Sequence, residues 1–178
     1  MDRIYLVITI IGPDRRGIVA KITEIALKYR ANIEESRMAR LGGDFAVIML
    51  VTVPTDREAD LLSGLELLEA QGLSVTSKTT SLARLKVFEG FVPYEISLVG
   101  ADHEGIVHRV AEFLAEQRVQ VETMDTHTTQ APVSGTPLFA MQAMIQAPPE
   151  LSLSRLRQAL MELGDALGVD IDVRLPID

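Results

Sequence analysis

Cysteine is absent from all 178 residues. That excludes disulfides, thiolate nucleophiles and cysteine-type zinc sites, and it suits a reducing compartment. Histidine is scarce: only His103, His108 and His127 occur. His103 and His108 are five positions apart, not at the i, i+4 spacing that places two ligands on one helix face, so all three read as surface histidines and no metal is expected. Aromatic residues make up 4% of the chain and nowhere interleave with basic ones, so no platform for stacking nucleic-acid bases exists. Long hydrophobic runs are missing too. The first, Ile4–Ile11, follows Met1-Asp2-Arg3 and is too short to cross a bilayer. It has neither a basic leader nor a small-residue cleavage site, and the expectation is a cytoplasmic protein without membrane contact.

Positive charge is short in one half only. Residues 1–88 carry 12 Lys/Arg against 11 Asp/Glu, whereas residues 89–178 carry 5 against 14, for an overall −8. An acidic second half repels phosphates, which argues against direct DNA or RNA binding. Apolar residues amount to 47%, as in globular proteins, and the length suits two domains of about 80–90 residues.

What the chain does have is a repeat. Gly12-Pro13-Asp14-Arg15-Arg16-Gly17-Ile18-Val19 returns 88 positions later as Gly100-Ala101-Asp102-His103-Glu104-Gly105-Ile106-Val107. The match continues through Glu24/Glu112, Arg30/Arg118, Ile33/Val121 and Glu34/Glu122, and after an insertion Phe45-Ala46 meets Phe139-Ala140. A period this long is one whole domain, so each copy needs its own core and any site in the loop is made twice. The copies are expected at residues 1–86 and 92–178.

Patterning within the copies agrees. Ile4–Ile11 reads as a buried strand. Asp14 is placed to cap a helix with Ile18, Ile22, Ile25, Ala26 and Tyr29 on one face. Two strands, Ile33–Leu41 and Phe45–Val53, flank a tight turn at Gly42-Gly43-Asp44. Thr55-Asp56-Arg57-Glu58 reads as a capping box for a second helix with Leu61, Leu62, Leu65 and Leu68 inward, and Gly72 stops it. Leu73–Leu85 can hold the last strand. In the second copy Tyr94, Ile96 and Leu98 alternate with polar residues, and a helix presents Ile106, Val110, Phe113 and Leu114. Strands follow at about 119–129 and 137–147, joined by a longer loop at 130–135. Leu153, Leu156, Leu160, Leu163 and Leu167 mark the second helix, and residues 169–175 alternate as a final strand. The order βαββαβ, twice, predicts an α+β protein of two tandem ferredoxin-like domains, each with a four-stranded antiparallel sheet and both helices on one face. Ile4–Ile11 and Phe45–Val53 are apolar on both faces, however, so the face without helices needs another cover. The two copies are expected to join along strand edges or face to face, and the protein to dimerise.

The candidate site is the repeated loop. A helix N-terminus with free N–H groups suits a carboxylate, and glycines allow close backbone approach, so Gly12, Asp14, Gly17 and Ile18, with Gly100, Asp102 and Gly105, are candidate ligand contacts. On spacing alone the better reading of the same glycines is as turn and packing residues, with Asp14 only a cap. Asn32, the sole asparagine, begins the second strand with Ile33 and is placed near the loop's end of the sheet; Gln120 takes its position in the second copy. Asn32 reads either as a ligand contact or as a turn residue. No nucleophile, acid–base pair or placed lysine emerges, and the methionines read as core filler, so an enzyme is not expected.

With fold and loop in place, the pattern resembles the ACT domain, the small regulatory module of amino-acid metabolism. In the first copy Tyr5–Thr9, Gly12–Val19, Asn32–Met38 and Phe45–Leu50 are similar to the glycine cleavage system transcriptional repressor family, while the second copy departs at Ala101, Gln120 and the lengthened hairpin. The resemblance implies a tandem of ACT domains with no catalytic or DNA-binding domain, no cofactor, glycine as the favoured small amino acid, and regulation through a partner DNA-binding transcription activator. The alternative it implies is a regulatory subunit or module of an amino-acid or one-carbon enzyme such as formyltetrahydrofolate deformylase. A catalytic domain needs about 200 further residues, whereas the second half repeats the first, which favours the sensor.

Overall fold

A computed structural model describes residues 2–81, 89–131 and 135–176, which fall into two compact units, Met1–Val87 and Phe88–Asp178. The end of the expected last strand, the expected boundary at residue 86 and the middle of the 130–135 loop lie outside the described residues.

In the first unit the order is β1 (Arg3–Pro13), α1 (Ile18–Lys28), β2 (Asn32–Leu41), β3 (Asp44–Pro54), a 3-10 turn at Thr55–Arg57, α2 (Glu58–Glu66), a second 3-10 turn at Glu69–Gln71, and β4 (Ser74–Thr80). The second unit runs β5 (Val92–Ala101), α3 (Ile106–Glu116), β6 (Gln120–Gln130), β7 (Pro137–Ala147), α4 (Leu153–Leu167) and β8 (Val169–Arg174). Both sheets are antiparallel with matching orders, β2-β3-β1-β4 and β6-β7-β5-β8. These are two tandem ferredoxin-like domains.

Each core follows from strand alternation against helix period. Leu6, Ile8 and Ile10 of β1 are buried with Ile22 and Ile25 of α1 and Leu61 and Leu65 of α2. Their counterparts Ile96 and Leu98 are buried with Val110, Leu114, Leu156 and Leu160. In β8 the alternation is complete, with Val169, Ile171 and Val173 buried and Asp170, Asp172 and Arg174 exposed.

The opposite sheet faces differ in chemistry although their backbones match. Residues paired in register share a face. In the first unit Val7 lies between Leu50 and Lys78, and Thr9 between Ile48 and Thr76. The equivalent positions of the second unit hold Glu95 between Met144 and Arg174, and Ser97 between Gln142 and Asp172. The first face is apolar with basic neighbours, and its Ile11 and Ile48 are 49% and 48% exposed. The second mixes charged and polar residues with the exposed Val99, and its Glu95 and Arg174 are paired at 3.0 Å.

Two expectations about helix starts are corrected. Asp14 does not cap α1: the capping residue is Gly17, at φ 83° with no side-chain cap, because three further residues of the loop intervene before the helix starts. The Thr55–Glu58 capping box does not form either. Those residues make a 3-10 turn, and the Thr55 hydroxyl donates to the carbonyl of Asp2 at 3.1 Å. Finally, α1 and α3 end in Schellman motifs whose left-handed residue is arginine, Arg30 (φ 59°) and Arg118 (φ 58°), where glycine is usual. Their bonds, Ala31 N–H to Ala26 O and Val119 N–H to Leu114 O, are both 2.9 Å. The hairpin expectation holds, with Gly42 and Gly43 both at positive φ.

Two glycines of the repeated loop are packing residues. A Cβ on Gly12 would stand 2.6 Å from the Gly72 carbonyl oxygen, and one on Gly100 would stand 2.5 Å from Val169 Cγ1. The strand end therefore lies hard against the start of β4 or β8, and the space a Cβ would fill belongs to the protein and not to a ligand. Gly17 differs, with nothing within 4 Å and only its φ demanding glycine. Gly12→Ala and Gly100→Ala are each expected to destabilise their own domain by about 1–3 kcal/mol through overpacking. Urea unfolding followed domain by domain checks this; an unchanged midpoint in either variant removes the packing role.

Candidate ligand site in the repeated loop

The loop between first strand and first helix is pinned on its hairpin side, in the same way in both units. The Asp14 N–H donates to the Gly43 carbonyl at 3.1 Å, and its carboxylate comes within 3.5 Å of Arg40 on β2. The Asp102 N–H donates to the Pro137 carbonyl at 3.0 Å, and the Thr128 hydroxyl of β6 reaches its carboxylate at 3.5 Å. The backbone of the repeated aspartate thus ties loop to hairpin in both copies, with its carboxylate near a β2 or β6 side chain.

In the first unit the loop borders a cavity of about 260 Å³ lined by Arg15, Arg16, Gly17, Ile18, Lys21 and the end of the second helical segment at Leu68, Gln71 and Leu73. Gly17 and Ile18 are the predicted contacts that line it. Lys21 is paired with Glu24 at 3.0 Å. The second unit replaces Arg15-Arg16 by His103-Glu104, and the local charge changes with them.

Asn32 and Ile33 lie elsewhere. Asn32 pairs with Thr52, and Thr52 with Tyr5, which is seven residues before Gly12 on β1. At ~3.3 Å per residue the loop and Asn32 stand roughly 23 Å apart along the sheet. The expectation that they share one end is therefore corrected. A crossover helix carries the chain back along the sheet, so a parallel-running second strand starts where the first began. Ile33 packs against the core.

At that far end the structure builds a network that composition did not reveal. The Asn32 amide donates to Glu34 Oε1 at 2.9 Å, and the hydroxyl of Thr52, itself 5% exposed, donates to the same oxygen at 2.7 Å. Arg3 donates to the Thr52 carbonyl at 2.8 Å and to its hydroxyl oxygen at 3.1 Å. The bonds from Asn32 and then Thr52, with Arg3 nearby, hold the Glu34 carboxyl below the ordinary value against a smaller opposing effect of burial. The Asn32 carbonyl oxygen keeps no protein partner among the described residues. Gln120 does not reproduce this, since its amide turns to the Val121 carbonyl at 2.9 Å. A hint was present in the retention of Glu34 as Glu122; Arg3 and Thr52 carried none.

The ACT domain family model matches residues 4–78 and 95–174. The chain belongs to the ACT domain family. It is similar to the glycine cleavage system transcriptional repressor of Escherichia coli (strain K12), with 26% identity over 160 residues, 89% of this chain and 83% of that one. A crystal structure of an unknown protein from Galdieria sulphuraria matches at 32% identity and TM-score 0.82, over 99% of this chain and 100% of that one. Another, provisionally described as a glycine cleavage system transcriptional repressor, matches at 22% identity and TM-score 0.72 over 98% of both, a likeness of fold. The chain is thus a tandem ACT-domain protein resembling that repressor.

The Glu34 network of the first ACT domain has a signed consequence. Because the folded-state pKa is depressed, the carboxylate stabilises the domain above its unfolded pKa, and that contribution is lost as pH falls through the lower folded value. Glu34→Gln should flatten the acid limb of the melting temperature between about pH 6 and pH 3. Calorimetric scans of both proteins check this, and identical acid limbs count against the network.

Proposed function

We propose that this chain is a non-enzymatic amino-acid-sensing regulator of the glycine cleavage system repressor type, acting on transcription through a DNA-binding activator partner. The observation that carries the reading is the pair of ACT domains with the same anchored glycine–aspartate loop, in a chain similar to that repressor along most of its length. The net charge of −8 supports a partner-mediated role over direct contact with DNA phosphates.

The ligand is a small zwitterion, glycine first. Arg15, Arg16 and the start of α1 suit its carboxylate. The Asn32 carbonyl and the Glu34 carboxylate suit its ammonium. Within one domain these two ends are too far apart to hold one amino acid, so the loop of one ACT domain works with the second-strand start of a neighbouring one. Gly12, Asp14, Gly100 and Asp102 act in this reading as the loop's supports, and Gly17 and Gly105 set its left-handed entry to the helix.

A thermal-shift screen of the twenty amino acids tests the reading, because a ligand of the native state raises the melting point. Titration calorimetry with glycine, serine and alanine then places the site: Asn32→Ala should weaken binding roughly three- to tenfold, the worth of one neutral hydrogen bond. If Asn32→Ala leaves affinity unchanged while Gln120→Ala abolishes it, the site belongs to the second domain.

The apolar face of the first domain supports a homodimer. Ile11 and Ile48 are half exposed there, and the polar Gln142 takes the place of Ile48 in the second domain, while Val99 takes that of Ile11. Light scattering should show a dimer that Ile48→Asp converts to a monomer. A wild-type monomer at all working concentrations counts against it.

A further inference from the structure

His103 occupies the loop position that Arg15 holds in the first domain, and both of its ring nitrogens point at carbonyl oxygens. Nδ1 is 3.0 Å from the oxygen of Glu104, and Nε2 is 2.8 Å from that of Leu167, the last residue of α4. Carbonyl oxygens only accept, so both bonds exist together only when both nitrogens carry a proton, that is, in the imidazolium. The Leu167 carbonyl is one of the unsatisfied groups at a helix C-terminus, where the partial negative charge favours a cation. In the first domain the same loop position carries a permanent charge, and an Arg15 guanidinium nitrogen lies 3.6 Å from where a Cβ of Gly72, the counterpart of Gly168, would be. We propose that His103 is a proton-operated latch tying the candidate ligand loop of the second domain to the end of α4.

Of the charges nearby in the fold, Asp102 attracts the imidazolium and favours the closed state. Asp102 and Glu104 flank His103 in the loop, Asp165 stands in the last turn of α4, and Asp170 lies in β8. The cation on the adjoining helix, Arg109, is paired with Glu112 at 2.8 Å. The bonds to Glu104 and Leu167, with Asp102 adding attraction, raise the imidazole pKa against a smaller effect of burial. A histidine with a raised folded-state pKa contributes its full stabilisation below the unfolded value and loses it as pH rises through the folded one. Acid therefore closes the latch and alkali opens it. On the hairpin side the Asp102 N–H still holds the loop to Pro137, so opening frees the α4 side alone. The latch stands on protein–protein contacts and is independent of whether either loop binds an amino acid.

The test is a pH titration of the full chain by NMR. His103 should titrate above the ~6.5 of a free histidine, with both ring nitrogens protonated below its midpoint. The amide resonances of Gly105 and Gly168 should move with the same midpoint, while those of Gly17 and Gly72 stay still. His103→Gln should abolish that movement, and His103→Arg should hold the second-domain amides at their low-pH positions. Titration at or below the ordinary value overturns the latch. So does a loop whose amides ignore His103, or a movement that persists in His103→Gln.

Discussion

Each domain is organised by its first strand, which is hydrogen-bonded on both sides, by β3 and β4 in one unit and by β7 and β8 in the other. One face of that strand is the core. One end enters the repeated loop, and the other end lies in register with the start of the second strand. The helix that leaves the loop must pack on the sheet and return the chain along it. Loop and second-strand start are thereby sent to opposite ends, whatever the side chains prefer. In the first domain the helix start and the Asn32–Glu34 pair are fixed about 23 Å apart. In the proposed reading, an isolated domain would meet only one end of an amino acid with these groups.

The repeat lets one half of the chain act as a control for the other. Backbone register is preserved pair by pair, as are the left-handed arginines after α1 and α3 and the aspartate tether. What has drifted is the chemistry around them. Val7 and Ile48 correspond to Glu95 and Gln142, and Ser74 and Thr76 to Asp170 and Asp172. A face that only touched water would have no reason to stay apolar in one copy, and an apolar face is costly to leave bare. Arg15-Arg16 likewise corresponds to His103-Glu104. The two domains share a scaffold and differ in what they offer a partner or ligand, which fits a division of labour better than two equal sites.

Legibility in the sequence followed the range of the interaction. Strands and helices were readable because burial alternates with period two or 3.6, and residues such as Leu6, Ile8 and Ile10 or Leu156 and Leu160 state that period directly. The repeat made topology readable, because one βαββαβ reading had to hold twice. Ends were less readable. Asp14 and Thr55 have the side chains of helix caps, but each is drawn into a longer-range bond, to the hairpin strand or to the carbonyl of Asp2, and the helix begins later with a backbone-only cap. The arginines in left-handed conformation could not be anticipated from propensity. The Arg3–Thr52–Glu34–Asn32 network joins three strands through one buried hydroxyl, and no local pattern announces such a meeting.

The misplacement of Asn32 shows where sequence reasoning needs topology as an explicit step. Asn32 begins the second strand and Gly12 ends the first; in sequence they look like two edges of one connection, as they would in a hairpin. In a crossover they are not, because the intervening helix consumes the length of the sheet. The parallel direction of β1 and β2 alone dictates the separation. The same step assigns the glycines. Once Gly12 is placed at the strand end beside the start of β4, its missing Cβ is accounted for by Gly72 and Leu73, and only Gly17, with open space around it, remains at the mouth of the cavity. Close approach to a ligand and close approach to the protein's own backbone leave the same mark in a sequence, and only the neighbours distinguish them.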